Sequence, residues 1–148
     1  MTLFFPDLNV WLALSVSSHS HCRKAWSWLN LLPDDARLIF SRYTQIGLLR
    51  LLTNQAAMGE QTLTLRQAWG AYDRWLKDPR VEFYPEPRGL DGAFRHATEA
   101  FAAQPATKWV GDCYLLAYSK ESEASLVTFD AALFKFARKH GSAAILPA

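Results

Sequence analysis

The sequence predicts an α/β fold in which a mostly parallel sheet of about five strands is covered by helices on both faces. Two observations carry that prediction. Five short apolar runs alternate with longer stretches of helical periodicity, the pattern of repeated strand-helix-strand crossovers. Acids stand just past the ends of the first and fourth runs, at Asp7 and Asp130. That is the carboxyl edge of a parallel sheet, where open α/β folds hold their ligands.

The chain has 148 residues, 50% of them hydrophobic and 20% charged, so a single domain spanning residues 1–148 with a substantial core is expected. A net charge of +2 is too mild to declare nucleic-acid binding by itself. No apolar run approaches the roughly 18 residues of a membrane span. The N-terminus lacks the basic start and cleavage site of a signal peptide, so a cytoplasmic location is expected. Cys22 and Cys113 stand alone, without C-x-x-C or metal-ligand spacing, and are expected to be reduced and packed.

Leu3 to Phe5 forms the first predicted strand, stopped by Pro6, which has no backbone donor. Asp7 then caps a helix over Leu8 to Leu14. After the polar break Ser15 to Ser20, with solvated His19 and His21, the residues Ala25, Trp26, Leu29 and Leu32 recur at helical spacing. Arg37 to Phe40 is the second strand. Ser41 caps a third helix, with Ile46, Leu49 and Thr53 on one side and Gln45, Leu48 and Leu52 on the adjacent one. Asn54 to Thr62 is a loop. Thr64 and Gln67 make a capping box for a helix whose stripe of Leu65, Trp69, Tyr72 and Leu76 is expected in the core, with part of this helix pair as a possible interface. Val81 to Tyr84 is the third strand. Leu90 to Phe101 is helical, ended by Gln104-Pro105. A helix over Asp112 to Glu121, a strand over Leu126 to Phe129, a helix marked by Leu133, Phe134 and Ala137, and a last strand over Ala143 to Leu146 complete the chain.

Eighteen residues separate Asp112 from Asp130. A helix of about ten residues descends roughly 15 Å, and the strand after it climbs back at roughly 3.3 Å per residue. Asp112 and Asp130 therefore return to the edge that carries Asp7. Each acid alone also suits a cap or turn. Three clustered carboxylates repel one another and imply a cation, and oxygen-only ligands point to Mg²⁺ or Mn²⁺. Such a site suits hydrolysis of a phosphodiester by metal-activated water. No phosphate-binding glycine loop competes with it.

At these residues the chain resembles the PIN-domain family, and within it the VapC-like toxins of bacterial type II toxin–antitoxin modules. The resemblance spans the whole chain and rests on Asp7 to Leu14, Thr44 to Thr53, Asp112 to Ala117 and Thr128-Phe129-Asp130. It implies a three-layer α/β/α sandwich and a Mg²⁺- or Mn²⁺-dependent endoribonuclease. It also implies a cognate VapB-like antitoxin that plugs the groove, and a homodimer. Asp7, Asp112, Asp130 and Gln45 are the expected catalytic residues, the three acids the metal ligands, with Asn9 and Thr128 in support. Family members often carry a glutamate early in the third helix, where this chain has Gln45, a neutral oxygen donor. The alternative is therefore a non-catalytic PIN-fold module that binds RNA or antitoxin through a weakened metal site. An aspartyl-nucleophile phosphohydrolase fits less well, because Asn9 stands where that chemistry needs a second acid. Candidate RNA contacts are Arg42, Arg50, Arg88, Lys108, Lys135 and Arg138.

Overall fold

Consecutive residues of the predicted strands send their side chains into two different cores, as the two-residue period of an extended chain requires. The computed structural model describes residues 1–148. In it Phe4, Leu38, Phe40 and Val127 enter one buried cluster, while their neighbours Phe5, Ile39 and Leu126 enter the other. The strands are β1 (Leu3–Pro6), β2 (Arg37–Phe40), β3 (Val81–Phe83), β4 (Ser125–Val127) and β5 (Ala144–Ile145). They form one sheet in the order β3-β2-β1-β4-β5, every neighbouring pair parallel.

The helices are α1 (Leu8–Ser15), α2 (Cys22–Asn30), α3 (Arg42–Leu52), α4 (Gln55–Met58), α5 (Leu65–Leu76), α6 (Leu90–Thr98), α7 (Thr107–Glu121) and α8 (Ala131–Lys139). α1, α2, α3 and α5 cover the first face and α6, α7 and α8 the second, giving the expected three layers. No helix is long and apolar enough to cross a membrane. Both cysteines are free, and Cys113 is buried.

The strand order explains where a ligand can sit. From β1 the chain moves outward through β2 to β3, then crosses to β4 on the other side of β1 and moves outward again to β5. β1 and β4 are therefore neighbours whose following connections diverge, and the gap this opens at their carboxyl ends is a topological switch point. Asp7 follows β1 and Asp130 follows β4.

Several boundaries differ from expectation for local reasons. Pro6 is the last residue of β1 rather than its stop, since it pairs with Val127 and the Asp7 N–H still donates to Val127 O at 2.7 Å. The Asn54 to Thr62 stretch is not a plain loop: the Asn54 side chain accepts from Ala57 N and starts the one-turn α4, followed by a 3₁₀ turn over Gly59–Gln61. The fourth strand ends at Val127, because Thr128 and Phe129 turn toward α1. α5 buries Ala68, Ala71 and Tyr72, whereas Leu65, Trp69 and Leu76 are exposed. Small alanines let α5 lie close on α3, so of the predicted stripe only Tyr72 enters the core while the other three face outward.

Trp11 anchors the first core. It is fully buried, stacked on Phe40 at 3.9 Å between ring centroids and edge-on to Trp75 at 5.4 Å. Trp11→Ala leaves a cavity that neighbours cannot close and is expected to cost about 3–5 kcal/mol. Urea unfolding checks this: the midpoint falls while the slope stays that of the parent.

Candidate active site

Asp7 sits where β1 hands over to α1, and its carboxylate serves both elements. As the N-cap of α1 it accepts from Leu8 N through Oδ1 at 2.6 Å. Through Oδ2 it accepts from Thr128 Oγ1 at 2.8 Å and from Asn9 Nδ2 at 3.2 Å. Asn9 also reaches across the sheet, its Oδ1 accepting from Phe129 N at 3.1 Å. The fully buried Thr128 accepts from Asp130 N at 3.0 Å. Two side chains thus lock the β1–α1 turn to the β4–α8 turn, with Asp7 between them. Burial raises the Asp7 carboxyl above its ordinary value and Asp130 adds to that, while the bonds from Thr128 and Leu8 pull it back down.

Asp112 arrives differently. α7 begins at Thr107, so Asp112 lies in its second turn and is not a helix start. Pro105, which restricts the residue before it and suits the run-in to a helix, places the start five residues earlier than Asp112 suggested. Half-buried and without a hydrogen bond from the protein, Asp112 is pushed up to about 6 by burial first and then by Asp7 and Asp130, with Lys108 opposing. Asp130 is the N-cap of α8, accepting from Ala132 N at 2.9 Å and Leu133 N at 3.1 Å, both through Oδ1.

A cleft of about 520 Å³ opens over Asp7 and Asp112. Its other wall is the α3 face of Tyr43, Thr44, Gly47, Arg50 and Leu51, and it runs on to Thr53 and Asn54. Two helix-interior glycines, each costing roughly 0.5–1 kcal/mol relative to alanine, let the walls meet. A Cβ on Gly47 would come within 2.6 Å of Leu8 Cδ2, and one on Gly111 would overlap the Tyr43 hydroxyl. Arg50 is the single basic residue in this lining.

The three predicted acids sense one another electrostatically, but they do not form a ready-made cage. No group of three or more Asp, Glu, His or Cys stands close enough to hold one ion together. Asp7 and Asp112 line the cleft, while Asp130, the N-cap of α8, is not among its lining residues. Two crowded, proton-hungry carboxylates with oxygen donors alone still fit a hard divalent cation, which commonly takes only one or two protein carboxylates and fills its other positions with water and substrate phosphate.

Gln45 is not part of the cleft. Its Oε1 accepts from Arg42 Nη1 at 2.6 Å on the buried side of α3, toward Tyr72. The residues of α3 that do face the acids, Tyr43, Gly47 and Arg50, follow an i, i+4, i+7 stripe. That stripe is visible in the sequence as a run of small, aromatic and basic residues beside the polar Gln45. Of the candidate cations, Arg50 lines the cleft and Lys108 acts on Asp112. Arg42 lies 4.5 Å over the Phe83 ring, and Arg138 lies 5.8 Å over the Phe134 ring. Arg88 and Lys135 are exposed away from this lining. Sequence reasoning also missed His21, which stacks on Phe129 at 4.5 Å beside the Thr128 lock.

Because the folded protein holds the Asp112 proton more tightly than the unfolded chain, ionising Asp112 destabilises the fold. The penalty is absent below the ordinary 3.8, grows as pH rises to about 6, and is complete above that. Asp112→Asn is therefore expected to be more stable than the parent at pH 8 without divalent ions, and equal to it near pH 3.5. Urea midpoints at the two pH values check this, and a gain of the same size at both would refute it.

Comparison with known proteins gives the chain's family. A family model for the PIN domain matches residues 4–139. Ribonuclease VapC41 of Mycobacterium tuberculosis is 40% identical over 136 residues, covering 88% of this chain and 90% of that protein. Among solved structures, VapBC2 from Rickettsia felis, bound to a DNA fragment from its promoter, superposes with a TM-score of 0.69 at 15% identity, covering 97% of this chain and 98% of that one. Mycobacterium tuberculosis VapC20, a toxin that cleaves the sarcin–ricin loop, gives 0.65 at 15% identity, covering 95% and 96%. These structures share the fold, and the family model together with the VapC41 identity shows that the chain belongs to the PIN-domain family.

Proposed function

We propose that the chain is a divalent-metal-dependent endoribonuclease, the toxin of a VapBC-like type II toxin–antitoxin pair. The observation that carries this is the meeting of Asp7 and Asp112 at the switch point of the sheet, both with raised proton affinity and with no basic residue bonded to them. The ribonuclease name of the 40% identical relative supplies the chemistry. Asp7 and Asp112 would hold Mg²⁺ or Mn²⁺, with Asp130 lending negative charge from beside them. A cation bound there neutralises the scissile phosphate and eases deprotonation of an attacking water.

The protein's own residues do the rest. Thr128 and Asn9 fix Asp7 in one orientation. Arg50, which forms no salt bridge in the structure, faces the cleft and receives a phosphate of the substrate strand. The β1 and β4 edges keep the acids in register while RNA lies along α3. Residues 1–148 work as one cytoplasmic unit in this reading. The exposed apolar side chains of α3 and α5, Ile46, Leu65 and Trp69, suit a homodimer contact. Structural neighbours crystallised as VapBC complexes support a VapB-like antitoxin that covers the cleft.

Purified protein with Mn²⁺ and a panel of structured and single-stranded RNAs tests the reading. Asp7→Asn and Asp112→Asn are expected to lose at least about 100-fold in cleavage, and Thr128→Val, which removes the bond that orients Asp7, about 10- to 100-fold. A wild type that cuts no better than Asp7→Asn on any RNA would leave a non-catalytic binding module as the surviving account.

A further inference from the structure

We infer that Tyr43 is a base-stacking platform, so that the cleft takes a substrate strand with an unpaired, splayed nucleotide next to the acids. This rests on the ribonuclease reading and adds to it the form of RNA accepted. Tyr43 lies in the first turn of α3 and lines the cleft with Asp7 and Asp112, yet it is 48% exposed. A large aromatic residue left half in water on the wall of a charged cleft contributes little to the core. The protein nevertheless holds the ring firmly. Tyr114 braces it edge-on at 5.0 Å between centroids, and Tyr114 is itself braced by Phe94 at 5.8 Å. On the far side the phenol lies against Gly111, the residue before Asp112, where any Cβ would overlap its hydroxyl.

A rigid aromatic ring beside the reacting position, with a cation farther along the same groove, is the pairing that single-stranded nucleic acid requires: stacking for a base and charge for the backbone. Tyr43 and Arg50 are seven residues apart on one helix face, about 10.5 Å along its axis. The polar Thr53 and Asn54 continue the groove beyond Arg50.

The test is binding of short fluorescent single-stranded RNAs to the Asp7→Asn protein without divalent ions, followed by anisotropy. One abasic nucleotide is moved along the strand. At one position, loss of the base is expected to weaken binding about 5- to 150-fold, the range for one base stacked on an aromatic ring. In Asp7→Asn/Tyr43→Ala the same abasic change is expected to cost nothing further, and Asp7→Asn/Tyr43→Trp restores the sensitivity. Tyr43→Ala leaves the salt dependence unchanged, whereas Arg50→Ala lowers its slope by about 0.7. A strand with no base-sensitive position overturns the assignment, and this arm needs no change at residue 43. Equal losses at every abasic position also overturn it, and so does unchanged RNA binding in the alanine variant, which would leave the ring to a protein partner. None of these results touches the cleavage test on Asp7 and Asp112, so the two readings fail separately.

Discussion

The hydrogen bond from Thr128 Oγ1 to Asp7 Oδ2, 2.8 Å long, is the interaction on which the functional end of the molecule depends. It joins residues 121 apart in sequence and both are buried. A carboxylate in that position loses most of its water, a cost tolerable only when its oxygens are bonded. Thr128, Asn9 and the α1 amide supply those bonds, and the same threonine oxygen accepts from Asp130 N. The bond therefore fixes the direction of Asp7, the mutual height of β1 and β4, and the start of α8.

What this bond cannot supply is charge. The donors around Asp7 are neutral, and Asp112 has none from the protein. The cleft thus keeps an electrostatic debt in the form of raised proton affinities, which either a proton or a cation can relieve. A cage of three bonded carboxylates would hold an ion tightly even without substrate. Two carboxylates in the cleft with a third acid outside its lining would hold it more loosely, leaving coordination positions for water and phosphate. The arrangement suits a site completed by its substrate.

Local signals were legible in the sequence. Asp7, Ser41, Thr64 and Asp130 were all readable as helix caps, because a cap depends on residues two or three positions away. The convergence of three acids on one edge was also readable, since it follows from the lengths of helices and strands. Less legible was anything that depends on how one helix is rotated against another. Gln45 was the expected α3 donor because it stands where the family often carries a glutamate. The rotation of α3 instead brings Gly47 against Leu8 and leaves Gln45 on the buried side, where its Oε1 accepts from the exposed Arg42 of the same helix. The outward turn of Leu65, Trp69 and Leu76 on α5 was illegible for the same reason: Ala68 and Ala71, with Tyr72 alone of the stripe, make its close face. The start of α7 at Thr107 rather than Asp112 was not legible either, since Gly111 sits inside the helix, where it makes room for Tyr43.

The central claim is that Asp7 and Asp112 together form the cation site. Calorimetric titration of the protein with Mn²⁺ at pH 8 addresses it without any assumption about RNA. The account predicts saturable binding that is lost in Asp7→Asn and in Asp112→Asn, while Gln45→Glu, buried against Arg42, adds no affinity. Wild-type binding that survives both asparagine substitutions, or that tightens on Gln45→Glu, would contradict it.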